Sequence, residues 1–220
     1  MSRRNGWARL LGVGAAAAAL ATAPGVARAD EVFFAGSTGG AFNGAASSSG
    51  ATLMGLVFSN STFSGTTSNG FLGLGNTPTP GSNFNNLGSF ALSPAAFNYG
   101  SGSNTFSLLV TFSSPAGVSN GQSSSYSATL TGSVTSDNNG GVFIDFDNAP
   151  RTFAFSNGQS SGTFTFSVND MSINAGKTAP ITGTILSATQ TPVPEPASMT
   201  LLGSGLAGLG AVARRRRGKS

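Results

Sequence analysis

The chain has 220 residues, with eleven Lys and Arg against seven Asp and Glu, and neither cysteine nor histidine. Those absences exclude disulfides, thiol chemistry, zinc sites of the Cys or His type and every Ser-His or Cys-His nucleophile pair. Nucleic acid is excluded as well: nine of the eleven cations are Arg3, Arg4, Arg9, Arg28, Arg214 to Arg217 and Lys219, so only Arg151 and Lys177 face six carboxylates between Asp30 and Pro192, and no basic stripe remains to displace counterions.

Met1 to Ala29 has the three parts of a secretory signal peptide. Arg3, Arg4 and Arg9 form a positive start, Leu10 to Ala23 an apolar core, and Ala27-Arg28-Ala29 a small-residue cleavage site. The core of fourteen residues is shorter than the ~20 a membrane span requires. Cleavage after Ala29 is expected to leave a mature chain starting at Asp30.

From Asp30 onward Gly, Ser, Thr and Asn abound, yet the apolar residues are patterned, and all seventeen phenylalanines fall in this body. Val32 to Phe34, Leu53 to Phe58, Phe71 to Leu74 and Leu87 to Leu92 read as short strands between polar loops, and Thr77-Pro78-Thr79-Pro80-Gly81 as loop. Phe106, Leu108, Val110 and Phe112 alternate with polar neighbours, as do Tyr126, Ala128, Leu130 and Val134, which marks half-buried strands. Val142, Ile144 and Phe146 should face opposite to Phe143, Asp145 and Asp147, with Asp137-Asn138-Asn139-Gly140-Gly141 as the hairpin turn before them. A second hairpin is expected around Asn157-Gly158, setting Phe153 and Phe155 beside Phe164 and Phe166, and Ile181 to Leu186 reads as a last strand. No segment of the body shows helical periodicity with caps. The pattern predicts an all-β fold, an antiparallel β-sandwich with jelly-roll-like connectivity, in one domain over residues 30–191 of about 160 residues, long enough to bury roughly two-thirds of its unfolded surface.

Candidate chemistry in the body is sparse. Asp145 and Asp147 share one strand face at a spacing that can serve an acid–base pair, which keeps a secreted hydrolase as a remote alternative. Together with Asp137 they also offer oxygen ligands to a hard cation, so calcium is the candidate metal and no other cofactor is expected. The spacing is not that of an EF-hand, which needs Gly and Glu where this chain has Val142 and Asn148. A sugar-binding face usually presents exposed aromatics, and the body holds only Tyr99 and Tyr126 besides its phenylalanines. Lys177 follows Gly176 and reads as a surface lysine in a turn. Ordered threonine rows are not visible along the chain.

The chain closes on three ordered features. Pro194-Glu195-Pro196 holds the backbone extended, Ala197 to Ala213 is a charge-free run of seventeen residues, and Arg214, Arg215, Arg216 and Arg217 follow as a stop-transfer cluster. As a helix the run would rise about 25 Å, within reach of a single span, and the arginines would lie on the cytoplasmic side. This layout over residues 192–220 resembles the PEP-CTERM sorting signal of Gram-negative bacteria. The resemblance implies handling by an exosortase in the inner membrane, which recognises Pro194, Glu195 and Pro196 and is expected to remove the tail, in a setting where exopolysaccharide is made. It leads to the expectation of an exported, non-enzymatic protein of the cell surface or matrix with a structural or adhesive role, or alternatively a polysaccharide- or calcium-binding module.

Overall fold

The computed structural model describes residues 30–46, 49–79, 83–119, 121–192, 202–210 and 214. The first strand, β1 (Phe33–Phe42), is ten residues long, where the sequence suggests only its opening. Glycine explains the difference: a Cβ on Gly36 would collide with the Thr111 carbonyl and the Phe63 ring, and one on Gly40 with the Phe106 ring. These glycines blur the alternation in the sequence while letting the strand lie close under its neighbours.

The run Leu53 to Phe58 is two strands, β2 (Thr52–Leu53) and β3 (Leu56–Ser59). Met54 at φ 47° and Gly55 at φ 78° form the two-residue turn between them, the positive-φ pair that suits strand twist. Next come β4 (Thr62–Thr66), β5 (Leu72–Leu74), β6 (Ser89–Leu92) and the long β7 (Phe97–Ser114). The two expected hairpins form from β8 (Ser123–Val134) with β9 (Gly140–Phe146), and from β10 (Arg151–Ser156) with β11 (Ser160–Val168). Asn138 at φ 60° and Gly158 at φ 83° lie in their turns. The chain ends its body in β12 (Met171–Asn174), β13 (Thr178–Pro180) and β14 (Gly183–Pro192).

Every ladder between these strands is antiparallel, as the all-β reading requires. Among the described residues they make a six-stranded sheet, β12-β9-β8-β7-β1-β4, and two four-stranded sheets, β10-β11-β14-β5 and β13-β6-β3-β2. The jelly-roll expectation is corrected here. Such connectivity alternates strands between two sheets, whereas β7, β8 and β9 are consecutive neighbours in one sheet and the remainder are divided over three. The last strand also runs later than expected: Ile181 is buried just ahead of β14, bonded through its amide to the Gly88 carbonyl at 2.7 Å, and the ladder continues to Pro192.

The period-two faces meet in one apolar core. On the six-stranded sheet, Phe112 packs edge-on against Phe164 at 5.0 Å and Phe166 at 5.6 Å, both on β11. Six residues earlier on β7, Phe106 meets Phe90 of β6 at 4.9 Å and Phe58 of β3 at 5.1 Å. One strand therefore joins the six-stranded sheet to both smaller ones. Edge-to-face pairs of this kind add about 0.5–1.5 kcal/mol beyond the area they bury.

Residues 202–210 are helical and exposed. Among the described residues no helix is long and apolar enough to cross a membrane; the rest of the expected span from Ala197 to Ala213 lies outside them, as do the signal peptide with Ala27 and Ala29, the box Pro194, Glu195 and Pro196, and Arg215, Arg216 and Arg217.

Candidate functional site at the end of the last strand

The body meets its tail at the end of β14. There Thr191 pairs with Ser161 and Pro192 with Ser160, the first residues of β11. The β10–β11 turn beside this rung is fixed by Asn157, whose side-chain oxygen accepts from the Gln159 amide at 3.1 Å and from the Ser160 amide at 2.8 Å. This is the turn-forming habit of asparagine.

The outer edge of β10 is covered by the loop between β7 and β8. Ser156 donates its amide to the Gly117 carbonyl at 3.0 Å, and Ser119 donates to Ala154 at 2.8 Å. Gln122 holds this loop: its side-chain oxygen accepts from the Val118 amide at 2.7 Å while its nitrogen donates to the Phe112 carbonyl at 2.8 Å and to that of Pro115 at 3.2 Å. Gly117, Ser156, Ser161 and Thr191 thus stand in line across the sheet. None of the residues Ser114 to Ser119 or Ser156 to Ser160 is charged.

The outer face of the same sheet is a hydroxyl array. Register places Thr152, Thr165 and Ser187 on one rung, Ala154, Thr163 and Thr189 on the next, and Ser156, Ser161 and Thr191 on the third. Hydroxyls touch across strands, Thr152 with Thr165 at 3.0 Å and Thr163 with Thr189 at 3.3 Å. Sequence reading missed these rows because their members come from three separate strands. The only trace along the chain is the Thr-x-Thr spacing at Thr163 and Thr165 and at Thr189 and Thr191.

The acidic residues singled out by sequence are not gathered into one site. Asp145 projects outward from β9 opposite Thr129, while Asp137 lies in the turn ahead of that strand; from Asp145 back to Gly140, where the strand begins, is five residues, or some 17 Å. Asp147 follows β9 and is bound by Arg151 at 2.6 Å. That hydrogen bond, joined by the guanidinium charge, holds its carboxyl below the ordinary carboxylate range. Among the described residues no group of three acidic side chains is placed to hold a metal ion, and strand length separates Asp137 from Asp145.

Asp170 is the carboxylate that sequence reading passed over. One of its oxygens accepts from the Phe146 amide at 2.8 Å and the other from the Asn148 side chain at 3.1 Å, which anchors the end of β9. Both tyrosines are fully buried. Tyr99 donates its hydroxyl to the Met54 carbonyl at 2.6 Å, and burial pushes its pKa up to about 12. Burial also raises that of Tyr126, against the opposing pull of Ser124 and Arg151. Neither ring is available to stack on a sugar. Lys177 is exposed in the turn between β12 and β13, as expected, and Arg214 is exposed too.

Comparison with known families finds the PEP-CTERM protein-sorting motif at residues 192–217. The motif thus begins on the residue with which the β14 ladder ends, and a signal of this kind implies export and processing by an exosortase in the membrane. No curated protein and no solved structure matches the chain.

Proposed function

We propose that this protein is an exported body which its tail delivers to the cell surface or the exopolysaccharide matrix, where it acts as a structural or adhesive component without catalysis. The observation that carries this reading is the continuity of the sorting motif with the last strand: address and fold share Pro192. We read the facing phenylalanine layers as a two-layer, sandwich-like body. The engagement of Asp147 by Arg151 and the separation of Asp137 from Asp145 favour a scaffold over a hydrolase.

A second reading, binding of polysaccharide, draws support from the hydroxyl array on β10, β11 and β14. With Tyr99 and Tyr126 buried, recognition would run through hydroxyl hydrogen bonds and threonine methyls rather than ring stacking, which suits weak, repeated contacts with a long polymer.

The test is fractionation of cells with and without their exosortase. The expected result is a body lacking its tail in the surface or extracellular fraction when the enzyme is present, and a tail-bearing form held in the membrane when it is absent. An intact chain in the cytosol under both conditions would sink the reading.

A further inference from the structure

The box that an exosortase must grasp begins at Pro194, and the ladder ends at Pro192. Two residues of fully extended chain reach at most about 7 Å. An enzyme closing on the box must therefore come within roughly that distance of the folded body. What it meets is the rim described above: the Asn157 to Ser160 turn beside the exit and, two strands across, the Pro115 to Ser119 loop held against Ser156.

We infer that this rim is a docking surface for the membrane-embedded processing enzyme, so that the body is presented flush to the enzyme and takes part in its own release. The inference rests on the exosortase reading. Three features favour it. The rim is free of charge in a protein whose mature acids lie elsewhere, so nothing on it resists close contact with a desolvating surface. Gln122 and Asn157 fix its two loops through hydrogen bonds to the backbone, which presents a preformed surface. Pro192 cannot donate to the ladder, so the last rung is a weak one that the enzyme can part without disturbing the sheet behind it.

The experiment follows tail removal in exosortase-bearing cells, by blotting full-length variants over time. Ala116→Glu and Gln159→Glu change exposed rim positions, and Asn139→Glu makes the same kind of change at the β8–β9 turn. Each is also made with a six-residue Gly-Ser insertion after Pro192, which supplies up to about 20 Å of slack. The expected result is removal at least about tenfold slower for the two rim variants, the lower bound for a charge left unpaired in a contact surface. Asn139→Glu should match the unmodified chain, and the insertion should restore both rim variants.

Equal processing of rim and control variants would overturn the inference while leaving the exosortase reading intact. Faster removal for Gln159→Lys with slower removal for Gln159→Glu would point to anionic lipid headgroups as the contact instead, and would overturn it too. A tail retained by the unmodified chain in enzyme-bearing cells would remove both the inference and the reading beneath it.

Discussion

The guanidinium of Arg151 lies 4.3 Å above the ring of Tyr126, on a phenol whose buried hydroxyl finds no partner of ordinary hydrogen-bond geometry among the described residues, Ser124 being the neighbour that pulls on it. The same arginine bonds Asp147, the Ser125 carbonyl at 2.8 Å and the Ser124 hydroxyl at 3.2 Å. It thereby ties the start of β10 to the start of β8, and Phe166 packs against the same tyrosine in a T-shaped pair at 5.6 Å. One cation thus fastens β10 of one sheet to β8 of another.

Replacing Arg151 with Ala should lower stability by about 1–2 kcal/mol, through the lost cation–π contact and the packing of its stem. Lys should recover only part of this, because an ammonium lacks the planar fork that serves Asp147, Ser124 and Ser125 together. Urea denaturation of the purified protein measures both, and equal stability of the Ala variant would refute the clasp.

Tyr126→Phe removes a buried hydroxyl that lacks a partner and should be neutral or stabilising by up to about 1 kcal/mol. Destabilisation of the Phe variant, in the same denaturation experiment, would reveal a partner, Ser124 or a bound water.

The two kinds of titrating group set opposite pH limits. Asp147 has a lowered pKa, so its contribution is present above its unfolded value and fades as pH falls through the folded one; Asp147→Asn should flatten the stability profile below about pH 4. Tyr99 is raised to about 12 from 10.0, so its contribution is complete below pH 10 and is lost as pH climbs from there. Tyr99→Phe should be less stable at neutral pH, for want of the bond to Met54, yet decline less on the alkaline side. Thermal melts across pH would check both slopes.

Core and surface rings should separate cleanly. Phe106→Ala and Phe112→Ala remove the rings that join the six-stranded sheet to its two neighbours and should each cost about 3–5 kcal/mol. Phe143, exposed at 45% on the outer face of β9, should tolerate Ala within about 0.5 kcal/mol. Gly36→Ala should be severe in spite of its small size, because the Thr111 carbonyl that a Cβ would strike is backbone in the adjoining strand and cannot turn aside.

Millimolar calcium should leave the melting temperature unchanged, as should chelator. Ligand binding to the native state raises the midpoint by mass action, so an upward shift of several degrees would locate a site that the separated Asp137, Asp145 and Asp147 do not build.

The C-terminal sorting motif, the β class, both hairpins and the buried faces of β7, β8, β9 and β11 could be read from the sequence, because alternation and turn chemistry act over a few neighbouring residues. Phe106 to Phe112 and Asp137 to Gly141 announce themselves in this way. Tertiary structure decided what depends on distant partners: glycines serve as strand in β1 because Phe63, Phe106 and Thr111 press on them, and a run that looked continuous folds back at Met54 and Gly55. Only pairing among β10, β11 and β14 assembles scattered threonines into rows, only the approach of that sheet to β8 sets Arg151 over Tyr126, and the length of β9 parts Asp137 from Asp145. Where the last strand ends was decided in the same way, since Pro192 joins the ladder through Ser160, thirty-two residues earlier, and no local pattern records a partner so far away.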